Sequence, residues 1–207
     1  EKSQLQTKNI ESELQFLKNQ INPHFLFNTL NNLYALTLKK SDYAPELVLK
    51  LSDMLRYMLY ECNESEVLLS KEIHYIRNYL DLEKIRLSQH ADIRIELKGN
   101  ISTHKVAPLI FIPFIENSFK HGLKYSSSEA FIHIRFVIED YLYFSISNSK
   151  ANPLPGFSIP KSVGGIGLTN VKKRLDLIYP NQYELHIDNQ PDQYIVHLKL
   201  QYQNLEK

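Results

Sequence analysis

Residues 21–32 read INPHFLFNTLNN. Pro23 and His24 sit side by side within what otherwise has the pattern of an amphipathic helix. A proline in a helix interior removes one backbone hydrogen bond and clashes with the preceding turn, at a cost of about 3 kcal/mol. Packing or function has to compensate. Upstream, Ile10, Leu14, Leu17 and Ile21 are spaced 4, 3, 4, the period of a helix that pairs with a partner. The same spacing carried past Ile21 lands on His24 and Asn28, so the seam turns polar at the motif. Phe25, Leu26, Phe27, Leu30, Leu33 and Leu36 then take over a broader apolar surface. The pattern predicts one long helix, kinked at Pro23 and ending near Lys39-Lys40, where lysines suit the negative end of the helix dipole.

Ser41-Asp42 reads as a turn with a helix cap, and Pro45 fits a first helical turn. Leu47, Leu51, Met54, Leu55, Met58 and Leu59 predict a second amphipathic helix and therefore an antiparallel hairpin over residues 1–62. A lone hairpin encloses too little core, so its apolar stripes imply dimerisation into a four-helix bundle. Residues 63–207 have a different pattern. Ser70 is placed to cap a helix with Ile73, Ile76, Tyr79, Leu80 and Leu82 on its apolar side, and a strand follows over 92–97. A helix opens near Pro108 and runs to residue 121. Strands are expected over 131–138 and 142–147, a loop over 149–163, a helix over 165–179, and a closing hairpin over 183–188 and 193–201. Strands and helices are intermixed with connections that favour antiparallel pairing, so the expected class is α+β, an α/β sandwich beside a helical hairpin.

Bulk composition narrows the function classes. Lys and Arg number 24 against 23 Asp and Glu, which gives no charge-driven case for direct nucleic-acid or membrane-surface binding. The single cysteine, Cys62, excludes an internal disulfide and a multi-cysteine metal site. The longest apolar run, 107–115, is broken by Pro113 and far short of the roughly 20 residues that span a bilayer. The chain opens on Glu1 rather than Met, which reads as a piece of something longer.

Three stretches can carry chemistry. Three of the six glycines fall in GGIGL, residues 164–168, directly before a helix. Clustered glycines there let backbone N–H groups approach an anion, although a tight loop-to-helix turn uses the same residues. ENSFKHG, residues 116–122, crowds Glu116, Asn117, Lys120 and His121 at the edge of an apolar helix; the simpler alternative is a surface ion pair and a helix end. His24 is the third, with a packed core histidine as the alternative. Taken together, the glycine turn, the Asn/Lys-bearing helix and the loop between them are the parts of a nucleotide site. Asn117 suits a magnesium ion that keeps several waters, and Lys120 and the glycine amides suit phosphate charge. A neutral imidazole on a separate helix is then a competent phosphoryl acceptor.

The chain resembles the LytS-like sensor histidine kinases over essentially its whole length. NPHFLFN is similar to that family's phosphoacceptor region, PLIFIPFIENSFKHG to its N box, and GGIGLTNVKKRL to its second glycine box, in the same order. The resemblance implies an ATP-binding domain of the gyrase, Hsp90, histidine kinase and MutL type on a dimeric helical hairpin. It implies that His24 is phosphorylated, that Asn117 holds Mg2+, that Lys120 and His121 lie near the phosphates, and that Gly165, Gly167 and Leu168 border the phosphate loop under a lid over 149–163. It further implies a response regulator of LytTR type as partner, and a missing N-terminal sensor that would make this the cytoplasmic part of an inner-membrane protein. Two positions depart from the pattern. Asn148, with no glycine after it, stands where the wider superfamily has an aspartate for the adenine amino group. Phe25 follows the histidine where many histidine kinases have an acid, which makes Glu116 the candidate proton acceptor. A catalytically silent ATP-binding module and a non-enzymatic helical scaffold are the rival expectations.

Overall fold

The computed structural model describes residues 23–86, 91–122, 130–150 and 166–201. The seam expected over 1–22, and with it the kink at Pro23, lies outside the described residues. The chain divides into two compact units, Glu1–Glu61 and Cys62–Lys207.

In the first unit, α1 (Pro23–Leu38) and α2 (Ala44–Arg56) form a helical hairpin, and α2 runs on into a π-helical turn over Tyr57–Glu61. The end of α1 is closed by two backbone bonds, Ser41 N–H to Leu36 O at 3.0 Å and Lys40 N–H to Thr37 O at 3.0 Å. This is a Schellman closure, and Lys40 takes its left-handed position with φ of 50°. Ser41 and Asp42 were the expected cap, but Tyr43 occupies the position before α2 and makes no side-chain cap bond. Thr29 is the one buried residue of α1, and Phe27, Tyr34 and Leu38 are about two-thirds exposed. On α2, Leu47, Leu51 and Met54 are buried while Val48 and Leu49 face solvent.

The second unit is a two-layer α+β sandwich. Its elements are β1 (Val67–Leu68), α3 (Leu69–Arg86), β2 (Ala91–Lys98), β3 (Lys105–Val106), α4 (Ile112–Gly122), β4 (Ala130–Ile138), β5 (Leu142–Ser149), α5 (Ile166–Ile178), β6 (Tyr183–Asn189) and β7 (Gln193–Leu200). Five strands form a sheet in the order β2-β4-β5-β7-β6. The β2–β4 pair is parallel and the remaining pairs are antiparallel. Strict alternation explains the layers: Ala130, Ile132, Ile134, Phe136 and Ile138 of β4 are buried, and so are Leu142, Phe144 and Ile146 of β5. Their neighbours His133, Arg135 and Tyr143 point to the open face. Gly99, at φ of 99°, lies so close to the Ile138 carbonyl that a Cβ would sit 2.3 Å from its oxygen.

At the centre of the core, Phe111 meets Phe136 edge-on at 5.0 Å between centroids and Phe144 at 4.9 Å. Phe114 reaches Phe144 at 5.9 Å, and Tyr79 of α3 meets Phe119 of α4 at 5.7 Å. Burying each such ring is worth about 1.5–3 kcal/mol, so the aromatic cluster fixes α4 against the sheet.

Two sequence expectations shift. Ser70 lies inside the first turn of α3, which begins at Leu69 directly after β1. The helix expected from Pro108 begins four residues later, at Ile112, because Leu109 adopts a left-handed φ of 55°. The short β1–β3 pair had no periodic signal at two residues per strand.

Burial pushes the Tyr179 phenol up to about 12, with the neighbouring Glu66 and Glu72 charges adding to the shift. Its hydroxyl accepts the Ala107 N–H at 2.7 Å. A tyrosine whose folded-state pKa lies above its unfolded value favours the fold below about pH 10, and that contribution is lost as pH rises through the folded value. Chemical denaturation at stepped pH should therefore show stability falling between pH 10 and 12. In Tyr179→Phe the fall should be shallower, while stability at pH 8 drops by about 1–2 kcal/mol for the unmet Ala107 N–H.

Candidate functional site

The polar residues of α4 sit where a buried helix meets solvent. Ile115 and Phe119 are buried, Glu116 and Asn117 are half-buried, and Lys120 is exposed. That gradation follows from a helical face half-wrapped against α3 and the sheet. Glu116 is close enough to Tyr75 of α3 to help raise its phenol pKa, second only to burial. His121 shares the helix, but its side chain lies outside the described part.

Gly122 ends α4 directly against Asn148, near the end of β5. A Cβ on Gly122 would lie 2.8 Å from Asn148 Nδ2 and 3.0 Å from its Cβ, so only glycine admits this approach. Asn148 is 2% exposed. Its Nδ2 donates to the Ser149 carbonyl at 2.8 Å, which orients the amide and leaves Oδ1 as an acceptor that no donor among the described residues meets. Ser149 Oγ accepts the Phe131 N–H at 3.1 Å and donates to Gly122 O at 3.4 Å, tying β4, β5 and the end of α4 together.

Leu168 is half-buried in the first turn of α5, on which Gly167 also lies. Gly165 and the expected lid from residue 151 onward lie outside the described residues. The second unit thus gathers Glu116, Asn117, Lys120 and Asn148 on α4 and β5.

His24 belongs to the hairpin unit and is exposed. It is not the core histidine that an aromatic-rich helix would favour. The Asn28 side-chain amide lies 3.1 Å from its Nδ1 and 3.4 Å from Nε2. Four residues apart on one helix face, the two side chains meet as helical spacing requires.

Sequence reasoning passed over three residues. Glu72, Arg174 and Tyr179 hold the main chain just ahead of α4. Glu72 and Arg174 had one available signal, a charged residue on the apolar side of a helix.

The donor chemistry suits a hard divalent ion bound mainly through a nucleotide. No group of three or more His, Cys, Asp or Glu able to hold a metal occurs among the described residues. Asn117 offers a neutral oxygen beside the Glu116 carboxylate, and Mg2+ characteristically takes few protein oxygens and completes its shell with phosphates and waters. A shallow concavity of about 600 Å³ lined by Arg135, Tyr143, His186, His197 and Lys199 lies on the open face of the sheet, away from these groups.

Residues 12–91 match the family model described as histidine kinase. The sensor histidine kinase BtsS of Escherichia coli is 30% identical over 195 residues, covering 89% of this chain and 32% of that protein. The sensor protein LytS of Oceanobacillus iheyensis is 28% identical over 208 residues, covering 95% of this chain and 36% of that one. The chain spans about a third of the length of these relatives. A bacterial phosphotransferase of known structure shares the fold with a TM-score of 0.52 at 8% identity, over 90% of this chain and 95% of that one. With the phosphoacceptor-like, N-box-like and glycine-box-like stretches in order along an α+β chain, the chain is similar to the LytS-like sensor histidine kinases.

Proposed function

We propose that this chain is the catalytic portion of a two-component sensor kinase, which transfers the γ-phosphoryl group of Mg-ATP to His24 and then to an aspartate of a response regulator. The observation that carries the reading is the exposed imidazole of His24, whose one described side-chain partner is Asn28. An amide can present either oxygen or nitrogen by a half-turn. With oxygen facing the ring it accepts Nδ1–H and leaves the Nε2 lone pair as nucleophile.

Each part of the second unit has a role in this reading. Asn148 Oδ1 accepts the adenine amino group; as a neutral acceptor it binds more weakly than a carboxylate. Asn117 holds Mg2+, which would neutralise phosphate charge during transfer. In this role Lys120 and His121 would bind the phosphates, and Gly165, Gly167 and Leu168 would serve the glycine box. As the Nε2–P bond forms and the γ-P–O bond to ADP breaks, the Nδ1 proton of His24 leaves Asn28 and passes to Glu116 as the proposed base. The exposed Phe27, Leu30, Tyr34, Val48 and Leu49 of the hairpin support a homodimer closed as a four-helix bundle. The family resemblance implies a regulator of LytTR type and a kinase that works in the cytoplasm behind an N-terminal sensor. Among the described residues no helix is long and apolar enough to cross a membrane.

Incubation with γ-labelled ATP and Mg2+ should label the chain, and His24→Gln should abolish the label; a mutant labelled at the wild-type level would overturn the acceptor assignment. Nucleotide binding without any label would instead favour the silent ATP-binding module, the reading that Asn148 in place of an acid suggests.

Glu116→Gln should bind an ATP analogue as the wild type does and phosphorylate His24 about 10²–10⁴ times more slowly. An undiminished single-turnover rate would remove Glu116 as base.

Gly122→Ala should push against the Asn148 amide. Overpacking of this kind costs about 1–3 kcal/mol, so calorimetry should record ATP-analogue binding weakened by about 5- to 150-fold.

A further inference from the structure

Three consecutive residues ahead of α4 run through the core with their main-chain groups held by side chains from α3, α5 and the residue just past α5. The Ala107 N–H is accepted by Tyr179 Oη at 2.7 Å. Arg174 donates Nη2 to the Pro108 carbonyl at 2.5 Å and Nη1 to the Leu109 carbonyl at 3.3 Å. The Leu109 N–H is accepted by Glu72 Oε1 at 2.6 Å. Glu72 is 0% exposed, Leu109 and Tyr179 are 5% exposed, and Ala107 is 0% exposed. Arg174 itself is half-buried.

Leu109 has a φ of 55°, a conformation that costs a non-glycine residue about 1–3 kcal/mol and persists only when its surroundings over-determine it. Its N–H is held from α3 and its carbonyl from α5, which is the over-determination required. Two residues on, the Phe111 carbonyl accepts the first bonds of α4, from Phe114 N–H at 3.1 Å and Ile115 N–H at 3.3 Å. The direction in which α4 leaves the core is therefore set by a strained turn whose carbonyl is held by the helix that follows the glycine box.

We propose that Arg174, with Glu72 opposite, is a positioning residue of the nucleotide site: it registers α4, and so Asn117, to the helix that opens at the glycine turn. The inference rests on the nucleotide reading above. Arg174 touches neither nucleotide nor metal and acts through the main chain of Pro108 and Leu109. Without its fork, Leu109 relaxes toward a common conformation and α4 shifts at its start. The group most sensitive to that shift is Asn117, because an octahedral Mg2+ tolerates little misplacement of an oxygen ligand.

The test uses the full chain and separates metal registration from simple stability. Binding of a non-hydrolysable ATP analogue is measured across a Mg2+ titration and in EDTA, with thermal unfolding recorded in parallel. In the wild type, Mg2+ should tighten binding. In Arg174→Met the Mg2+ concentration giving half of that tightening should rise about 10- to 100-fold, as for other supporting partners of a metal ligand, while binding in EDTA stays near the wild type. Arg174→Lys, which keeps the charge but lacks the fork, should fold and fall between the two. Combined with Asn117→Ala, the Arg174 variants should add little further loss, as expected for residues acting through one group. A lower unfolding temperature with an intact Mg2+ response would overturn the proposal, leaving Arg174 as a stabilising residue alone. A wild type that binds nucleotide but shows no Mg2+ response also overturns it. A wild type that binds no nucleotide overturns the nucleotide reading itself, and this inference with it.

Discussion

A buried main chain must find partners, and in this sandwich that requirement falls hardest on residues 107–109. Regular structure satisfies its own N–H and C=O groups, but this segment crosses the core as an irregular turn. The side chains that meet it are a carboxylate from α3, a guanidinium from α5 and the phenol of Tyr179 just past the end of α5. Leaving any one of the main-chain groups unmet would cost about 1–3 kcal/mol. The aromatic cluster of Phe111, Phe136 and Phe144 then locks the same turn from the sheet side. Hydrophobic burial supplies adhesion between the layers, but it is non-directional. The polar clamp supplies direction.

Much of this architecture is legible in the sequence because it is periodic. The alternation in β4 and β5 gives both strands to within two residues at their ends, and the apolar stripe of Ile73, Ile76 and Leu80 gives α3. The exposure of His24 was legible only in part: the upstream seam turning polar at that position hinted at it, while the surrounding Phe and Leu argued for burial. What escaped the sequence was non-periodic. Lys40 closes α1 in a left-handed conformation without the glycine that usually announces it. Leu109 also takes a left-handed conformation without glycine, within an apolar run that reads as helix, so the pattern places the start of α4 at Pro108. Glu72 and Arg174 fall on the apolar sides of their helices, which marks them as unusual without naming the turn they hold. Long-range polar contacts, 37 residues apart for Glu72 and 66 for Arg174, leave no local trace.

The candidate site shows the same division between what spacing can and cannot give. ENSFKHG places Glu116, Asn117 and Lys120 on one helix by sequence alone. The contact of Gly122 with Asn148 joins residues 26 positions apart and depends on the missing Cβ of the glycine. A glycine at a helix end has an ordinary explanation as a terminator. Here it also lets the helix end press on a buried amide, and the second role is visible only in three dimensions.

Electrostatics favours an amide over a carboxylate at residue 148. A carboxylate at residue 148 would be a buried charge beside the Ser149 carbonyl, with no amide hydrogen to offer it, and it would meet both desolvation and repulsion. The asparagine avoids both, because its Nδ2 satisfies the Ser149 carbonyl and its Oδ1 remains available. The cost is a weaker acceptor toward a donor group on a ligand, since a neutral oxygen forms a weaker bond than an ionised one. Residue 148 is therefore better understood as a trade of acceptor strength for local satisfaction than as a decayed aspartate. In the proposed nucleotide reading, more of the binding energy then falls to the phosphates and the metal, which makes the registration of α4 by Arg174 and Glu72 matter more.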